Sequence, residues 1–247
     1  MTSTCLANRA VVRLTSTDAA DDPAAFLQGL LTNDVKGTLP AYAALLTAQG
    51  KTMFDMIVWR DGDGEGGDIL LDCEGDVAEE LVKRLSLYRL RRKIDIGVDD
   101  SLAVHWQTGP RDGASRDPRL PALGYRWLAA ADDAQGSADD AWREHRLSLG
   151  VPEGRDELGD ILWLETNAVE LNGVSFNKGC YIGQENTARM NWRQKVNRRL
   201  VVLPLDRSEE KRRKATHQDL GLAIDHLRTA DIPADLAPQW LDLTAPQ

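Results

Sequence analysis

The sequence has few cysteines, and no two of them have metal-binding spacing. Its 247 residues include three, far apart at Cys5, Cys73 and Cys180. A structural zinc site or an all-cysteine cluster site needs four ligands and often begins with Cys-x-x-Cys, so thiols of one chain cannot build either. We therefore predict no resident metal, and low cysteine usage favours a reducing compartment.

The sequence also lacks long apolar runs and an excess of basic residues. No apolar stretch reaches about 18 residues, so no membrane span or membrane partner is expected. The net charge of −9 argues against a general nucleic-acid binder, because such proteins carry a basic face. Residues 1–6 show neither a signal-peptide core nor an Arg-rich transit segment, which predicts a cytoplasmic protein.

Alternating and helical spacings predict an α+β chain that is large enough to bury a core. With 42% hydrophobic and 28% charged residues, the composition is that of one large globular domain or two to three small ones. Asp22-Pro23 predicts the start of one helix, Asp76 opens another, and a third covers 142–149. Predicted strands cover residues 10–15, 43–48, 52–60, 69–72, 94–98, 102–106, 161–164 and 198–203.

Residues 61–72 imitate a calcium-binding EF-hand loop, with acids at alternate positions and Gly66 at position six. Position twelve is Asp72, where Glu is expected, and strands rather than helices are predicted on both sides. Calcium is therefore not expected here.

Residues 172–189 are the densest run of special residues in the chain. Asn172-Gly173 predicts a turn, followed by a loop and a helix that opens near Cys180. A thiol at a helix N-terminus beside Lys178 would have thiolate character and be reactive. The alternative is a buried structural cysteine.

The run from Lys178 to Glu185, KGCYIGQE, followed by Arg189, resembles the signature of the YgfZ-type folate-binding proteins. These proteins are related to the glycine-cleavage T-protein, an aminomethyltransferase, and serve iron–sulfur protein maturation. Residues 164–167 and 172–176 resemble the mitochondrial and alphaproteobacterial-type branch. Because the T-proteins lack this cysteine, Cys180 favours the iron–sulfur branch.

The resemblance implies an α+β, T-protein-like fold, with mixed sheets and helices around a central folate cleft. We expect residues 1–199 to form two interleaved α+β subdomains. Residues 200–247 would form a shortened, β-barrel-like C-terminal domain, because only 44 residues follow position 203.

The resemblance also implies a site for tetrahydrofolate or a derivative. Glu165 matches the acid that grips the pterin ring in T-proteins, and Asp55 matches an acid that faces the folate. The alternative for Glu165 is a carboxylate paired with a nearby arginine. The alternative for Asp55 is a structural salt bridge. Cys180 would be a nucleophile or a ligand of a transient iron–sulfur cluster shared with a partner. Further cofactor-binding candidates are Lys178, Gly179, Tyr181, Gln184, Glu185 and Arg189.

The preferred function is a folate-binding factor that assists assembly or repair of iron–sulfur proteins, especially [4Fe–4S] ones. Its partners would be iron–sulfur assembly or client proteins. The alternative is a folate-dependent aminomethyl or one-carbon transferase, in which Asp55 orients or deprotonates an amine. A third hypothesis is a folate sensor without turnover.

A basic cluster covers residues 89–93 at the predicted end of the second helix. Cations are favoured at a helix C-terminus by the dipole alone. The functional alternative is a landing site for the glutamate tail of folate or for an acidic partner.

Overall fold

A five-stranded antiparallel sheet separates two hydrophobic cores. The computed structural model describes residues 3–18, 20–62, 67–132, 136–193 and 196–243. Within them the sheet has the strand order β2-β3-β4-β1-β5. Its strands are β1 (Arg9–Ser16), β2 (Ala41–Leu46), β3 (Thr52–Arg60), β4 (Ile69–Glu74) and β5 (Ile94–Val98).

Helices α1 (Pro23–Gln28) and α2 (Ala78–Arg89) pack on one face of this sheet. The Asp22 carboxylate accepts the Ala24 N–H at 2.9 Å, which confirms Asp22 as the predicted N-cap. Because Phe54, Met56 and Val58 alternate with residues on the other face, β3 contributes to both cores, as its pattern predicts.

The second core lies between this sheet and the later elements of the chain. A small sheet, order β6-β8-β7, is followed by three helices and by a sheet of order β10-β11-β9. The bounds are β6 (Leu102–Gln107), β7 (Ser115–Arg116), β8 (Tyr125–Ala130), α3 (Asp139–Ser148), α4 (Arg155–Leu158), α5 (Gln184–Arg193), β9 (Arg198–Pro204), β10 (Arg213–His217) and β11 (Leu222–Arg228). Short 3-10 turns include residues 75–77, 121–123, 163–166, 205–207, 210–212, 218–220 and 229–231.

The predicted strand at 161–164 is wrong, since Trp163–Thr166 forms a 3-10 turn. The Trp163 N–H donates to the Gly50 carbonyl at 3.0 Å, as a strand would. The Thr166 hydroxyl then bonds the Trp163 carbonyl at 2.7 Å, and the left-handed Asn167, φ 67°, ends the turn. Side-chain bonding of this kind competes with a sheet ladder.

Two other expectations need correction. The helix predicted near Cys180 begins four positions later, at Gln184, because Gly183 has φ 81°, outside the helical region. The β-barrel-like shape expected of the shortened C-terminal domain is not confirmed, because its strands form an open three-stranded sheet over the described residues. Residues 63–66 of the calcium-like loop lie outside the described residues, and the flanking Asp61 and Asp68 bind Arg13 at 2.6 and 2.8 Å.

Candidate functional site

Lys178 fastens the KGCYIGQE segment to the end of α1. Its ammonium group donates to the carbonyls of Gln28 and Leu31 at 2.6 and 2.5 Å, and it lies 5.0 Å from the Tyr181 ring centroid. These carbonyls are left without partners where the helix ends, and a cation there is favourable. Burial lowers the pKa of Lys178 to about 8, against the opposing charge of Asp34. Lys178 therefore holds the backbone of α1 rather than facing the Cys180 thiol.

Gly183 packs the same segment onto the turn at residues 47–51. A Cβ atom at Gly183 would lie 2.6 Å from the Thr47 carbonyl oxygen and 3.0 Å from the Gly50 Cα. The amide of Asn186 adds a bond to the Gln49 carbonyl at 2.6 Å. At Gly183 the two backbone segments therefore approach more closely than any side chain would allow. Gly179 differs, because a Cβ atom there would meet nothing within 4 Å.

Between these two anchors the chain exposes Cys180. The structure leaves all three thiols free, but Cys73 is buried in β4 and Cys5 is half-buried. Burial raises the pKa of Cys73 to about 12 and also raises that of Cys5. Cys180 is therefore the accessible thiol of this chain, although it does not lie at a helix N-terminus.

Helix α5 continues the exposed surface beyond Cys180. Glu185 and Arg189 are exposed one turn apart, Gln184 is half-buried, and the Arg189 guanidinium bonds the Asn186 side chain at 2.7 Å. Trp192 follows on the same face and is 76% exposed. Sequence reasoning missed Trp192, although an aromatic residue on the polar face of this helix was a readable signal.

Asp55 lies inside the fold, on β3. Its carboxylate accepts the Tyr42 hydroxyl and the Gly154 N–H, both at 3.2 Å, and the residue is only 4% exposed. Burial raises the pKa of Asp55 to about 6, while the nearby Arg9 and Arg119 guanidinium groups oppose the shift. A carboxyl with such a pKa changes charge close to neutral pH, so it has the property of a general base.

A buried ion network surrounds the Asp55 side chain. Arg119 and Arg126 lie over the Trp142 ring at 5.3 and 4.3 Å. Their charges are balanced by carboxylates that lie 2.5 to 3.4 Å away, so that removing any one would leave an unpaired charge. The members are Arg9, Arg119, Arg126, Asp72, Asp117 and Glu153. This network was not predicted from the sequence, because its members are far apart in the chain.

Glu165 lies on the 3-10 turn and faces the C-terminal sheet. Its Oε2 atom is 2.9 Å from Nε2 of His226 on β11. The sequence alternative for Glu165 was a pair with a nearby arginine. Arg199 does lie close enough to interact with Glu165 electrostatically, but its ion pair is with Glu170 at 2.8 Å.

Two packed aromatic rings lie between Asp55 and Glu165. The Tyr42 ring, whose hydroxyl reaches Asp55, lies 5.6 Å from the ring of Trp163 on the turn that carries Glu165. Gly173 fits against both rings, because a Cβ atom there would lie 2.8 Å from Trp163 and 3.0 Å from Tyr42. Among the described residues no hydrogen bond or ion pair links Cys180 to either acid.

Comparison with known proteins gives relatives by sequence and by structure. No protein-family model matches the chain. It is 37% identical over 232 residues to the human "Iron-sulfur cluster assembly factor IBA57, mitochondrial", with 79% of this chain and 64% of that protein covered. It is 31% identical over 246 residues to the Coccidioides immitis homologue, with 83% and 57% covered. The chain thus spans less than two thirds of these relatives' length.

A solved structure decides the fold. The glycine cleavage system aminomethyltransferase T from Bartonella henselae superposes with a TM-score of 0.65 at 11% sequence identity, covering 92% of this chain and 78% of that one. The chain has the glycine-cleavage T-protein fold. The expected T-protein-like mixture of helices and sheets is therefore confirmed, while the central folate cleft and the β-barrel-like C-terminal domain are not.

The prediction of a cytoplasmic protein is contradicted by the same comparison. Relatives from human, mouse and three fungi all carry the word mitochondrial in their names. The prediction relied on the composition of residues 1–6, which does not outweigh these relatives. Among the described residues, no helix has the length and apolar character needed to cross a membrane.

Within this T-protein fold, the Glu165 carboxylate suits a folate in chemistry, but the His226 imidazole lies against it. The Glu165 carboxylate can accept two hydrogen bonds from a pterin edge, yet its Oε2 atom lies 2.9 Å from the His226 imidazole. Asp55 is enclosed, and the cavity beside its network, lined by Arg9, Glu153 and Gly154, measures about 200 Å³. Ligand pockets typically measure roughly 300–1,000 Å³. A folate at Glu165 would require the His226 imidazole to move away from the carboxylate.

Proposed function

We propose that this protein assists the assembly or repair of iron–sulfur proteins, especially [4Fe–4S] proteins. The observation that carries the proposal is the exposed Cys180, presented on a loop that Lys178 and Gly183 anchor on either side. The relatives named as iron–sulfur cluster assembly factors support it. We further propose that the chain belongs to the YgfZ-type family, whose signature the KGCYIGQE motif resembles.

Cys180 would act together with a partner's ligands. One thiolate cannot hold a four-ligand cluster, so the remaining ligands would come from an assembly or client protein. The exposed Arg189 and Trp192 lie on the helix that follows Cys180, and arginine and tryptophan are frequent in protein interfaces. The same surface can thus bind the partner and bring its cluster ligands to the thiol.

We further propose that a reduced folate binds at Glu165. Binding would require the imidazole of His226 to leave the carboxylate, since the two atoms are 2.9 Å apart. Tetrahydrofolate should then raise the melting temperature, because a ligand that binds only the native state stabilises it. Glu165→Ala should abolish the increment and the exposed-site control Glu144→Ala should keep it. An increment that Glu165→Ala leaves unchanged would place the folate elsewhere.

Complementation tests the iron–sulfur role. A strain that lacks its native factor should regain the activities of [4Fe–4S] enzymes when it expresses this chain. Cys180→Ser should fail, while the matched thiol control Cys5→Ser should succeed. Equal rescue by Cys180→Ser, at equal protein levels, would remove the thiol from the function.

A one-carbon transferase remains the second candidate, and the raised pKa of Asp55 favours it. A transferase would use Asp55 to deprotonate or orient an amine and would not need a thiol. Asp55→Asn would then abolish complementation and Cys180→Ser would not. The iron–sulfur proposal predicts the reverse sensitivity for Cys180.

A further inference from the structure

A groove between α1 and the end of α2 has no role in the site described above. Its floor is apolar, with Phe26 and Leu30 only 4% and 8% exposed. The opposite wall is the stretch from Tyr88 to Arg92, and the space between measures about 830 Å³. We call this feature the basic groove. It is large enough to receive several side chains of another molecule.

The rim of the basic groove is positive on a chain with a net charge of −9. Arg89 bonds the Ile94 carbonyl at 3.0 Å, and the Arg92 guanidinium lies 5.8 Å from the Phe26 ring centroid. No carboxylate of the described residues forms an ion pair with Arg91 or Lys93. Asp21 also lines the groove, where its carboxylate accepts the Lys93 backbone N–H at 2.7 Å, but Arg89, Arg91 and Arg92 outnumber it. The lining therefore keeps a net positive charge that an acidic ligand would complement.

The lip of the basic groove exposes leucine where glycine is expected. Residues 89–92 form a turn closed by the Arg92 N–H and the Arg89 carbonyl at 3.0 Å, and Leu90 has φ 52° and ψ −112°. These angles belong to the first central residue of a type II′ turn, which is usually glycine. Leu90 is 85% exposed, and Leu87, one turn earlier on α2, is 69% exposed. A strained apolar residue directed at solvent is typical of a contact surface.

We propose that the basic groove docks an acidic amphipathic segment of a partner protein. Apolar side chains of the segment would fill the floor beside Phe26 and Leu90, and its carboxylates would meet Arg91 and Arg92. A flat anionic membrane fits less well, because the floor of the groove is recessed and a chain with a net charge of −9 is repelled by a negative surface. Two copies of this chain, each with a net charge of −9, likewise repel each other.

The basic groove shares a backbone segment with the KGCYIGQE anchor. Gly29 and Leu30 line the groove. The residues before and after them, Gln28 and Leu31, accept hydrogen bonds from the Lys178 ammonium group through their carbonyls. Cys180 follows Lys178 by two residues, which span at most about 7 Å. A partner segment in the groove would therefore contact Gly29 and Leu30, whose neighbours hold Lys178. The docking proposal stands without the proposed iron–sulfur function.

The probe is a fluorescent designed helix with leucines on one face and glutamates on the other, titrated with the full chain at low salt. Wild type should bind it in a salt-dependent way. Leu90→Gly, which suits the turn, and the double variant Arg91→Glu with Arg92→Glu should each weaken binding, the latter by roughly tenfold or more. Lys211→Glu, an exposed charge reversal elsewhere, should change binding less than about twofold.

Several results would overturn the proposal. One is no binding, and another is equal binding of a scrambled peptide with the same composition, which would leave only non-specific charge. Leu90-dependent binding to phosphatidylserine vesicles without peptide binding would assign the groove to a lipid surface. A dimer in sedimentation that Leu90→Gly dissolves would assign it to a second copy. A melting curve of Leu90→Gly at or above wild type shows that any loss is not unfolding.

Discussion

Replacing Asp55 by Asn should stabilise this protein at neutral pH. Asn can keep both contacts, because its carbonyl accepts the Gly154 N–H and its amide donates to the Tyr42 hydroxyl oxygen. What the substitution removes is a buried charge. Burial raises the pKa of Asp55 from 3.8 to about 6, so ionised Asp55 costs the native state free energy.

The sign and size follow from proton linkage. Because the pKa of Asp55 is higher in the native state than in the unfolded state, the native state favours the protonated carboxyl. Its contribution to stability is complete below pH 3.8 and is lost as the pH rises through about 6. This rise in the pKa of Asp55 destabilises the native state by about 3 kcal/mol at pH 7.5 and by about 1 kcal/mol at pH 4.5, relative to a native state with the ordinary pKa. The advantage of Asp55→Asn over wild type should therefore grow by about 2 kcal/mol between these two pH values.

Urea unfolding of both proteins at several pH values between 4.5 and 7.5 measures this difference. Asp95→Asn is the control, because the Asp95 side chain is 78% exposed and its substitution should give a small difference at every pH. A variant that is less stable than wild type at pH 7.5, or a difference that does not change with pH, would refute the reasoning. Either result would mean that attraction to Arg9 and Arg119 offsets the cost of burying the ionised Asp55.

Three further predictions concern single residues. Gly183→Ala should destabilise the protein by roughly 2–4 kcal/mol in urea unfolding, because alanine resists its positive φ and its Cβ would overlap the Thr47 carbonyl; an unchanged midpoint would mean that the motif is not docked there. Leu90→Gly should raise stability by about 1 kcal/mol through relief of backbone strain, and a loss would contradict the turn geometry. Iodoacetamide should label Cys180 in the native protein and Cys73 only after unfolding, as read by peptide mass spectrometry; early labelling of Cys73 would contradict its burial.

Local signals in the sequence were sufficient for much of the fold. Asp22 before Pro23 marked the start of α1, and the apolar alternation of 52–60 gave β3 with its two buried faces. Such features depend on neighbouring residues, whose geometry is fixed by capping and by the strand period. The 3-10 turn at Trp163–Thr166 was not readable, because side-chain bonds and the left-handed Asn167 outweigh a strand-like composition.

The candidate site could be predicted only in part, because its contacts join distant parts of the chain. The KGCYIGQE motif was visible, but Lys178 finds its acceptors about 150 positions away, at Gln28 and Leu31. The imidazole of His226 beside Glu165 likewise comes from the last sheet. Periodicity and motif spacing carry no information about such pairings, which depend on how the elements pack.

The most direct test of the account is activation of a purified [4Fe–4S] apo-enzyme under anaerobic conditions. The assay combines the apo-enzyme with purified assembly proteins, iron and a sulfide source, and measures the rate at which enzyme activity appears. Adding this chain should raise the rate, Cys5→Ser should match wild type, and Cys180→Ser should give no increase. An equal increase with Cys180→Ser, or none with wild type, would contradict the claim that the exposed Cys180 serves iron–sulfur assembly.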